Sequence, residues 1–294
     1  MSAMPALPSP RNWRLLLELA LAEDLGPGDV TTPLVVAEDT QGRARIEARE
    51  PLVVCGIPIA AAVFEAVDPG LRFESVRRDG ELAAPGEPIA FVSGSLRAIL
   101  AGERTALNFL GRLCGVASTT RRFVTAIEGT GARIVDTRKT LPGWRALDKY
   151  ATAVGGALNH RAGLYDGILL KDNHVALAGG AALAVKTALA AAPAGLRIQV
   201  EVESEADAVA AVEAGADFLL LDNCTIPQLR AIAARIGDRA LLEASGGVRL
   251  ENVRAIAETG VSRISIGWIT HSAPAADVAL EIDTGGVRPG SARG

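Results

Sequence analysis

Six short apolar runs in the second half of the chain each end in residues that could do chemistry. The runs with their ends are Ile134-Val135-Asp136-Thr137-Arg138-Lys139, Ile168-Leu169-Leu170-Lys171-Asp172-Asn173, Ile198-Gln199-Val200-Glu201, Phe218-Leu219-Leu220-Leu221-Asp222-Asn223, Leu241-Leu242-Glu243-Ala244-Ser245-Gly246-Gly247 and Ile264-Ser265-Ile266-Gly267. Some ends are basic, two are carboxylates and two are rich in glycine. Cations beside carboxylates suit a polyanionic substrate held with a divalent metal.

The elements that position these ends are predicted to be buried parallel strands. Their apolar runs are continuous, and alanine-rich helical stretches separate most of them, as in parallel α/β sheets. Because parallel strands share one carboxyl edge, the reactive ends would meet there. This is the pattern of an α/β barrel with its active site at the strand C-termini.

The first part of the chain has a different pattern. Trp13 to Leu25 has apolar residues at helical spacing, and Gly42 to Glu50 alternates as a half-buried strand does. Glu103 to Ile127 predicts a long helix, with a break near Gly111 or Gly115 as an open alternative. The predicted fold class is α/β: an N-terminal α+β domain followed by an open, TIM-like α/β barrel.

Composition excludes several classes of protein. The 294 residues are 49% hydrophobic with a net charge of −4, so we expect a globular chain that does not bind nucleic acid. Residues 1–10 contain no apolar core, so they do not read as a signal peptide. The most apolar stretch, residues 175–196, is mainly alanine with Lys186 and Pro193, which predicts a surface-packed helix and no membrane span.

Cysteine and histidine usage favours a reducing compartment without structural zinc. The three cysteines, Cys55, Cys114 and Cys224, are far apart and form no CxxC pair. We therefore expect free core thiols and a cytoplasmic protein. Three histidines in the whole chain make a structural zinc site improbable.

The basic residues leave alternatives open. Arg138 offers a fork for a carboxylate and Lys139 a point charge for a phosphate, but both could belong to a solvated loop. Lys171, at the mouth of the barrel, is either an anion clamp or a Schiff-base nucleophile. His160 is a candidate site residue only because Arg161 follows it directly.

The acidic and glycine-rich ends predict metal and phosphate binding. If their strands are neighbours, Glu201 and Asp222 can reach one hard cation, and the alternative is that Glu201 pairs with a barrel lysine. Ser245-Gly246-Gly247 and Ser265-Ile266-Gly267 end the last two strands, where barrels commonly bind phosphate through backbone N–H groups. Arg104, outside the barrel, reads as a surface charge on a helix.

At these motifs the chain resembles the quinolinate phosphoribosyltransferases. The matching segments cover nearly the whole chain in a specific order and are Glu-Asp-Leu-Gly-Pro-Gly-Asp-Val-Thr-Thr (23–32), Glu-Arg-Thr-Ala-Leu-Asn-Phe-Leu (103–110), Asp-Thr-Arg-Lys-Thr-Leu-Pro-Gly (136–143), Asn-His-Arg-Ala-Gly-Leu (159–164), Leu-Lys-Asp-Asn-His (170–174), Glu201-Val202-Glu203, Leu-Asp-Asn (221–223), Ala-Ser-Gly-Gly (244–247) and Thr-His-Ser-Ala-Pro (270–274).

The resemblance implies a reaction and a set of roles. Quinolinate and phosphoribosyl pyrophosphate would give nicotinate mononucleotide, pyrophosphate and CO₂, in NAD biosynthesis and with Mg²⁺. The substrate-binding residues would be Arg104, Arg138, His160, Arg161, Lys171, Ser245, Gly246, Gly267 and His271. The catalytic residues would be Lys139, Lys171, Glu201 and Asp222, of which Glu201 and Asp222 would also bind the metal. Arg104 would reach the site from the other subunit of a homodimer.

Three further expectations accompany the resemblance. The domains would be residues 1–112, the barrel at 113–270, and a segment at 271–294 that returns to the N-terminal domain. Trp144, Asp148, Cys114 and Ala157 depart from the family pattern, and Trp144 is expected to reshape the loop after the basic cluster and with it the substrate affinity. The rival functions are a molybdenum-transport-associated paralogue of the same fold, a Schiff-base aldolase using Lys171, and a non-catalytic phosphate- or nucleotide-sensing barrel.

Overall fold

The computed structural model describes residues 4–286. The helices are α1 Arg14–Leu25, α2 Thr32–Val35, α3 Ile57–Val67, α4 Leu96–Ala126, α5 Arg145–Gly155, α6 Asp172–Ala178, α7 Ala181–Ala191, α8 Glu205–Glu213, α9 Ile226–Ile236, α10 Val253–Ala257 and α11 Trp268–His271. The strands are β1 Gln41–Ala48, β2 Leu52–Val53, β3 Arg72–Ser75, β4 Leu82–Ala83, β5 Pro88–Ser95, β6 Arg133–Val135, β7 Ile168–Leu170, β8 Ile198–Val202, β9 Phe218–Asp222, β10 Leu241–Ser245, β11 Arg263–Ser265 and β12 Val278–Ile282.

The chain forms two compact units whose limits differ from the predicted domain boundaries. One unit comprises residues 1–119, 141–155 and 272–294, and the other comprises 120–140 and 156–271. The predicted boundary at 112/113 falls inside α4, which runs through it without interruption. Residues 141–155, which the sequence analysis assigned to the barrel, belong to the first unit.

The first unit is built on an antiparallel sheet in the order β12-β1-β5-β3. Ala44, Ile46 and Ala48 of β1 are fully buried, as their alternation predicts for a strand with one face on the core. Residues of the C-terminal segment join this sheet, because β12 pairs with β1 from Ala44↔Ile282 to Ala48↔Val278. Residues 287–294 of that segment lie outside the described range.

The two glycines of α4 do not break the helix. They mark the place where the C-terminal segment crosses it, and the Ala276 amide donates a hydrogen bond of 2.8 Å to the Gly111 carbonyl. A Cβ on Gly115 would overlap the Pro274 carbonyl oxygen. Glycine is therefore required by close approach of two backbones, and the alternative of a helix broken at Gly111 or Gly115 is wrong.

The second unit is a parallel sheet in the order β6-β11-β10-β9-β8-β7. The first strand thus lies beside the last, and an isolated parallel bridge from Val135 to Leu158 extends the β6 edge. This is the arrangement expected of an open α/β barrel. At the N-terminal end of the strands the Phe218 ring lies between two guanidinium groups, 4.9 Å from Arg197 and 5.2 Å from Arg263.

Strand alternation divides the side chains of the barrel into two sets. Val200 and Val202 of β8 pack in the apolar layer under the helices, as do their counterparts on the other strands. Gln199 and Glu201 therefore point to the opposite, inner side. The result is an apolar layer between the strands and the helices, and an inner side that carries Gln199 and Glu201.

No single helix within residues 4–286 is long and apolar enough to cross a membrane. Helices α6 and α7 are long and apolar enough only when taken together, and the chain bends by 91° between them. This pair falls in the apolar stretch singled out from the sequence.

We expect Gly115→Ala to lower the free energy of unfolding, although alanine favours a helix by about 1 kcal/mol over glycine. The added methyl must displace the backbone at Pro274, and overpacking of this kind costs about 1–3 kcal/mol. Urea denaturation measures the difference. Asn108→Ala, at an exposed position of the same helix, is the control and should be neutral or stabilising. Equal stability of both variants would contradict the close approach.

Candidate active site

The carboxyl ends of the barrel strands enclose a cavity of about 520 Å³. Eleven of the twelve residues predicted for the site line it: Arg138, Lys139, His160, Arg161, Lys171, Glu201, Asp222, Ser245, Gly246, Gly267 and His271. Strand alternation and the loops after the strands bring these distant positions to one mouth. The cavity belongs entirely to the second unit.

Two arginines share one side of the cavity and repel each other. Burial lowers the pKa of Arg161 from its usual value, and the neighbouring Arg138 lowers it further. Arg161 Nη1 donates to the Gly167 carbonyl at 3.0 Å, whereas its buried Nε finds no acceptor among the described residues. Cations held close together in a partly dry cavity favour an anionic ligand.

The loop after β6 carries both basic residues to the cavity. The Lys139 amide donates to Thr137 Oγ1 at 3.0 Å, and the Thr270 hydroxyl donates to the Lys139 carbonyl at 2.7 Å. These bonds curl the backbone so that Arg138 and Lys139 both line the cavity. The alternative of a purely solvated loop is therefore not what the structure shows.

A buried carboxylate fixes the position of the segment that carries Arg161. Asp136 is fully buried, and it accepts hydrogen bonds from the His160 amide at 2.7 Å and from Asn159 Nδ2 at 2.8 Å. The His160 ring is also engaged by protein: Nδ1 accepts from the Arg161 amide at 2.8 Å, and Nε2 lies 3.0 Å from Gln199 Oε1. His160 is thus tied to the wall of the cavity through both ring nitrogens.

Glu201 and Asp222 lie on the neighbouring strands β8 and β9, but they are not directly opposite each other. Glu201 is in register with Leu220, so Asp222 stands two residues further along β9. The two residues are therefore offset by roughly 7 Å along the strand direction, as well as by roughly 5 Å between the neighbouring strands. The two groups still interact: burial raises the pKa of Glu201, Lys171 lowers it and Asp222 raises it. A cation between them would relieve this repulsion.

Lys171 lies 3.9 Å from Glu201 Oε2, with about half of its side chain exposed. The alternative that Glu201 pairs with a barrel lysine therefore describes this ligand-free geometry. Within residues 4–286, no cluster of three or more His, Cys, Asp or Glu side chains is placed to hold a metal. A metal at Glu201 and Asp222 would need further ligands from substrate and water.

Two strand ends require glycine for geometric reasons. Gly246 has φ +91°, and a Cβ there would overlap the Asn223 side chain. A Cβ on Gly267 would lie 2.8 Å from Lys139 Cδ and 3.3 Å from His271 Cδ2. The absence of side chains lets Lys139 and His271 enter the cavity, and it leaves backbone N–H groups available to a phosphate.

Sequence reasoning missed several residues of the cavity. Glu243 is fully buried and lines it, and burial raises the pKa of its carboxyl to about 7. Arg249, two residues beyond Gly247, adds an exposed cation at the mouth. Glu243 alternates with apolar neighbours on β10 just as Glu201 does on β8, so this alternation is the sequence signal for Glu243.

Arg104 is not among the residues that line the cavity. It lies on the exposed side of α4, in the first unit. The departures from the family pattern are not among the lining residues either. Trp144 packs against Phe109 with ring centroids 4.9 Å apart, Asp148 accepts from Arg112 Nη2 at 2.9 Å, and Cys114 contacts Cys55. These contacts all lie within the first unit, while Ala157 lies in the core of the second.

Cations, paired carboxylates and glycine-rich ends at the mouth of a parallel barrel define a class of enzyme that acts on polyanionic, phosphate-bearing substrates. Comparison with known proteins gives the family. The model of the quinolinate phosphoribosyl transferase N-terminal domain matches residues 29–114, and that of the C-terminal domain matches residues 116–281. The chain belongs to this family.

Relatives and solved structures agree with the family models. The chain is 39% identical to a probable nicotinate-nucleotide pyrophosphorylase [carboxylating] of Bacillus subtilis, over 91% of this chain and 92% of the relative. It is 42% identical to the Mycobacterium leprae nicotinate-nucleotide pyrophosphorylase [carboxylating], over 90% and 94%. The Francisella tularensis nicotinate-nucleotide pyrophosphorylase structure superposes with a TM-score of 0.91 at 34% identity, covering 96% of this chain and 100% of that one.

We expect Glu243→Gln to change how stability depends on pH. The pKa of Glu243 is about 7 when folded against an ordinary 4.5, so the wild type loses stability as pH rises between these values. The variant has no such group. Relative to wild type it should gain about 2–3 kcal/mol between pH 5 and pH 8.

Urea denaturation at both pH values measures this gain. Glu213→Gln, the same change at an exposed position of α8, is the control and should show none. A pH-independent difference between Glu243→Gln and the wild type would contradict the shifted carboxyl.

Proposed function

We propose that the chain catalyses the transfer of a phosphoribosyl group from phosphoribosyl pyrophosphate to quinolinate. The products are nicotinate mononucleotide, pyrophosphate and CO₂, in NAD biosynthesis. The proposal is supported by family membership and by one observation above all: the partly desolvated Arg138–Arg161 pair beside two lysines. A dicarboxylate and a pyrophosphate together supply the negative charge that such a cavity favours.

The residue types suggest how the reaction proceeds. Arg138 and Arg161 bind the quinolinate carboxylates and aim the pyridine nitrogen at C1 of the ribose. Lys139, Lys171 and His271, with the N–H groups near Ser245, Gly246 and Gly267, bind phosphate oxygens and stabilise the departing pyrophosphate. Glu201 and Asp222 lie near the positive charge that develops on the ribose. The new pyridinium then takes up the electrons of the C–C bond as CO₂ leaves, and a proton replaces CO₂.

The hydrogen bonds of His160 support a role in addition to the one the resemblance implies. Nδ1 accepts from the Arg161 amide and Nε2 lies 3.0 Å from Gln199 Oε1, so both ring nitrogens have protein partners in this geometry. We therefore propose that His160 supports Arg161, and that the arginines make the charged contacts. Direct contact between His160 and quinolinate remains a prediction of the resemblance.

Mg²⁺ is part of the proposal, held by Glu201 and Asp222. Burial raises the pKa of Glu201 and Asp222 raises it further, so a cation binding between them would favour the ionised carboxylates. Two carboxylates with waters and substrate phosphates are a usual magnesium environment. When bound, Mg²⁺ would neutralise charge on the pyrophosphate.

A homodimer is also part of the proposal, with Arg104 completing the partner's site. Large apolar side chains are exposed on the N-terminal segment, among them Leu15 and Leu19 of α1 and Leu34 and Val35 of α2. A second copy of the chain would cover such a surface. We place the protein in the cytoplasm because Cys55, Cys114 and Cys224 are free thiols.

The aldolase alternative receives little support. A Schiff-base lysine is activated by a desolvated or cationic surrounding. Lys171 is half exposed, and its nearest charged partner is the Glu201 carboxylate. A sensing barrel would have no need of two carboxylates facing the cations.

We expect nicotinate mononucleotide to form only when quinolinate, phosphoribosyl pyrophosphate and Mg²⁺ are all present. Chromatography of the products with a coupled pyrophosphate assay measures this. Nicotinate should not replace quinolinate, because it lacks one of the two carboxylates that the arginines bind. Arg138→Lys keeps the charge but removes the fork, and should lower kcat/KM for quinolinate about 100-fold or more. Folded protein that makes no product would overturn the proposal.

We expect Arg104→Ala and Lys139→Ala each to be nearly inactive and to restore activity when mixed. In a mixed dimer one site would combine native Arg104 of one chain with native Lys139 of the other. Random reassortment should give about a quarter of wild-type activity. Arg138→Ala mixed with Lys139→Ala is the control, since both residues come from one chain and no site becomes complete. No recovery in the first mixture, after subunit exchange is verified, would exclude a shared site.

A further inference from the structure

Glu243 is a buried acid that the proposed reaction leaves without a role. It lies on β10, fully buried, and its side chain points into the barrel below the cationic cavity. Neither carboxylate oxygen makes a hydrogen bond of good geometry with the described residues. The His160 ring lies beside it, with Nε2 3.6 Å from Glu243 Oε1. A carboxylate in such a place is costly to the fold, which suggests a functional reason for it.

We propose that Glu243 is a positioning residue for the quinolinate site. Together with Gln199 it holds the His160 ring with Nε2 directed into the barrel, and so fixes the segment that carries the Arg161 guanidinium into the cavity. The proposal rests on the proposed function for its substrate, but its structural part stands by itself.

The hydrogen bonds of His160 determine which ring nitrogen carries the proton. Nδ1 accepts from the Arg161 amide at 2.8 Å, so Nδ1 carries no proton. Nε2 is then the N–H donor. It lies 3.0 Å from Gln199 Oε1 and 3.6 Å from Glu243 Oε1. The interior of the barrel therefore selects one tautomer of the ring.

The ring orientation is linked to the backbone of the next residue. The Arg161 amide donates a hydrogen bond to His160 Nδ1, and the His160 amide donates one of 2.7 Å to Asp136 Oδ1. If the ring turned or changed tautomer, the Arg161 amide would lose its acceptor. The guanidinium next to it is the group that faces the substrate, so a small rotation would misplace a charged contact.

The groups around Glu243 determine how pH acts on this arrangement. His160, Asp136, Arg263, Gln199 and Ser265 face it. Burial raises its pKa to about 7, Ser265, Arg263 and Gln199 lower it, and Asp136 raises it. The ionised form only accepts hydrogen bonds and supports the His160 Nε2–H. The protonated form adds a donor that competes for Gln199 Oε1.

The test compares Glu243→Gln with the wild type, since the amide carries a permanent donor as the protonated acid does. We expect KM for quinolinate to rise about tenfold at pH 8, while KM for phosphoribosyl pyrophosphate stays unchanged. The wild-type kcat/KM for quinolinate should fall as pH drops through about 7, and that of the variant should not change there. Glu213→Gln, exposed on α8, should behave as wild type in all three measurements.

Nitrogen NMR tests the structural part without turnover. The chain has three histidines, so the signal lost in His160→Gln assigns the ring. At pH 8 the His160 ring of the wild type should have an unprotonated Nδ1 and a protonated Nε2. In Glu243→Gln the same ring should show a mixture of tautomers. An unchanged tautomer with unchanged KM for quinolinate would overturn the proposal. A wild type that forms no product but gives this NMR result would overturn the proposed substrate and leave the positioning role intact.

Discussion

The structure of the site depends on holding several cations together at one end of a barrel. Arg138, Lys139, Arg161 and Lys171 line the same cavity, and the pKa of Arg161 is lowered by burial and by its neighbour Arg138. Like charges in a partly dry space repel, so the fold must fix them against that repulsion. It does so with backbone and loop contacts from elements far apart in sequence.

Buried acids supply much of this support. Asp136 holds the backbone of His160 and the side chain of Asn159, while Glu243 lies 3.6 Å from the His160 ring. Both carboxyl groups belong to the second unit, as the cationic cavity does. The raised pKa of Glu243 indicates that its ionised form costs stability, as is common for groups that serve a site.

Close approach is the second requirement of the molecule, and glycine meets it in both units. In the first unit Gly111 and Gly115 let the C-terminal segment cross α4 at backbone distance. In the second, Gly246 turns the chain against Asn223, and Gly267 leaves room for Lys139 and His271. At Gly115 and Gly246 a Cβ would overlap another group, and at Gly111 and Gly267 the neighbouring atoms would have to shift. The same residue type thus serves packing in one unit and ligand access in the other.

The sequence by itself determined the fold class and most of the site. Continuous apolar runs ending in Lys139, Lys171, Glu201 and Asp222 predict parallel strands whose reactive ends meet, because period and burial are local properties. Only the tertiary structure decided register, tautomer and backbone contact. It placed Asp222 two residues beyond the level of Glu201, turned both ring nitrogens of His160 to protein partners, and kept α4 whole across its glycines. Register, tautomer and backbone contact depend on which groups meet across the fold, and the spacing of residues along the chain does not specify those contacts.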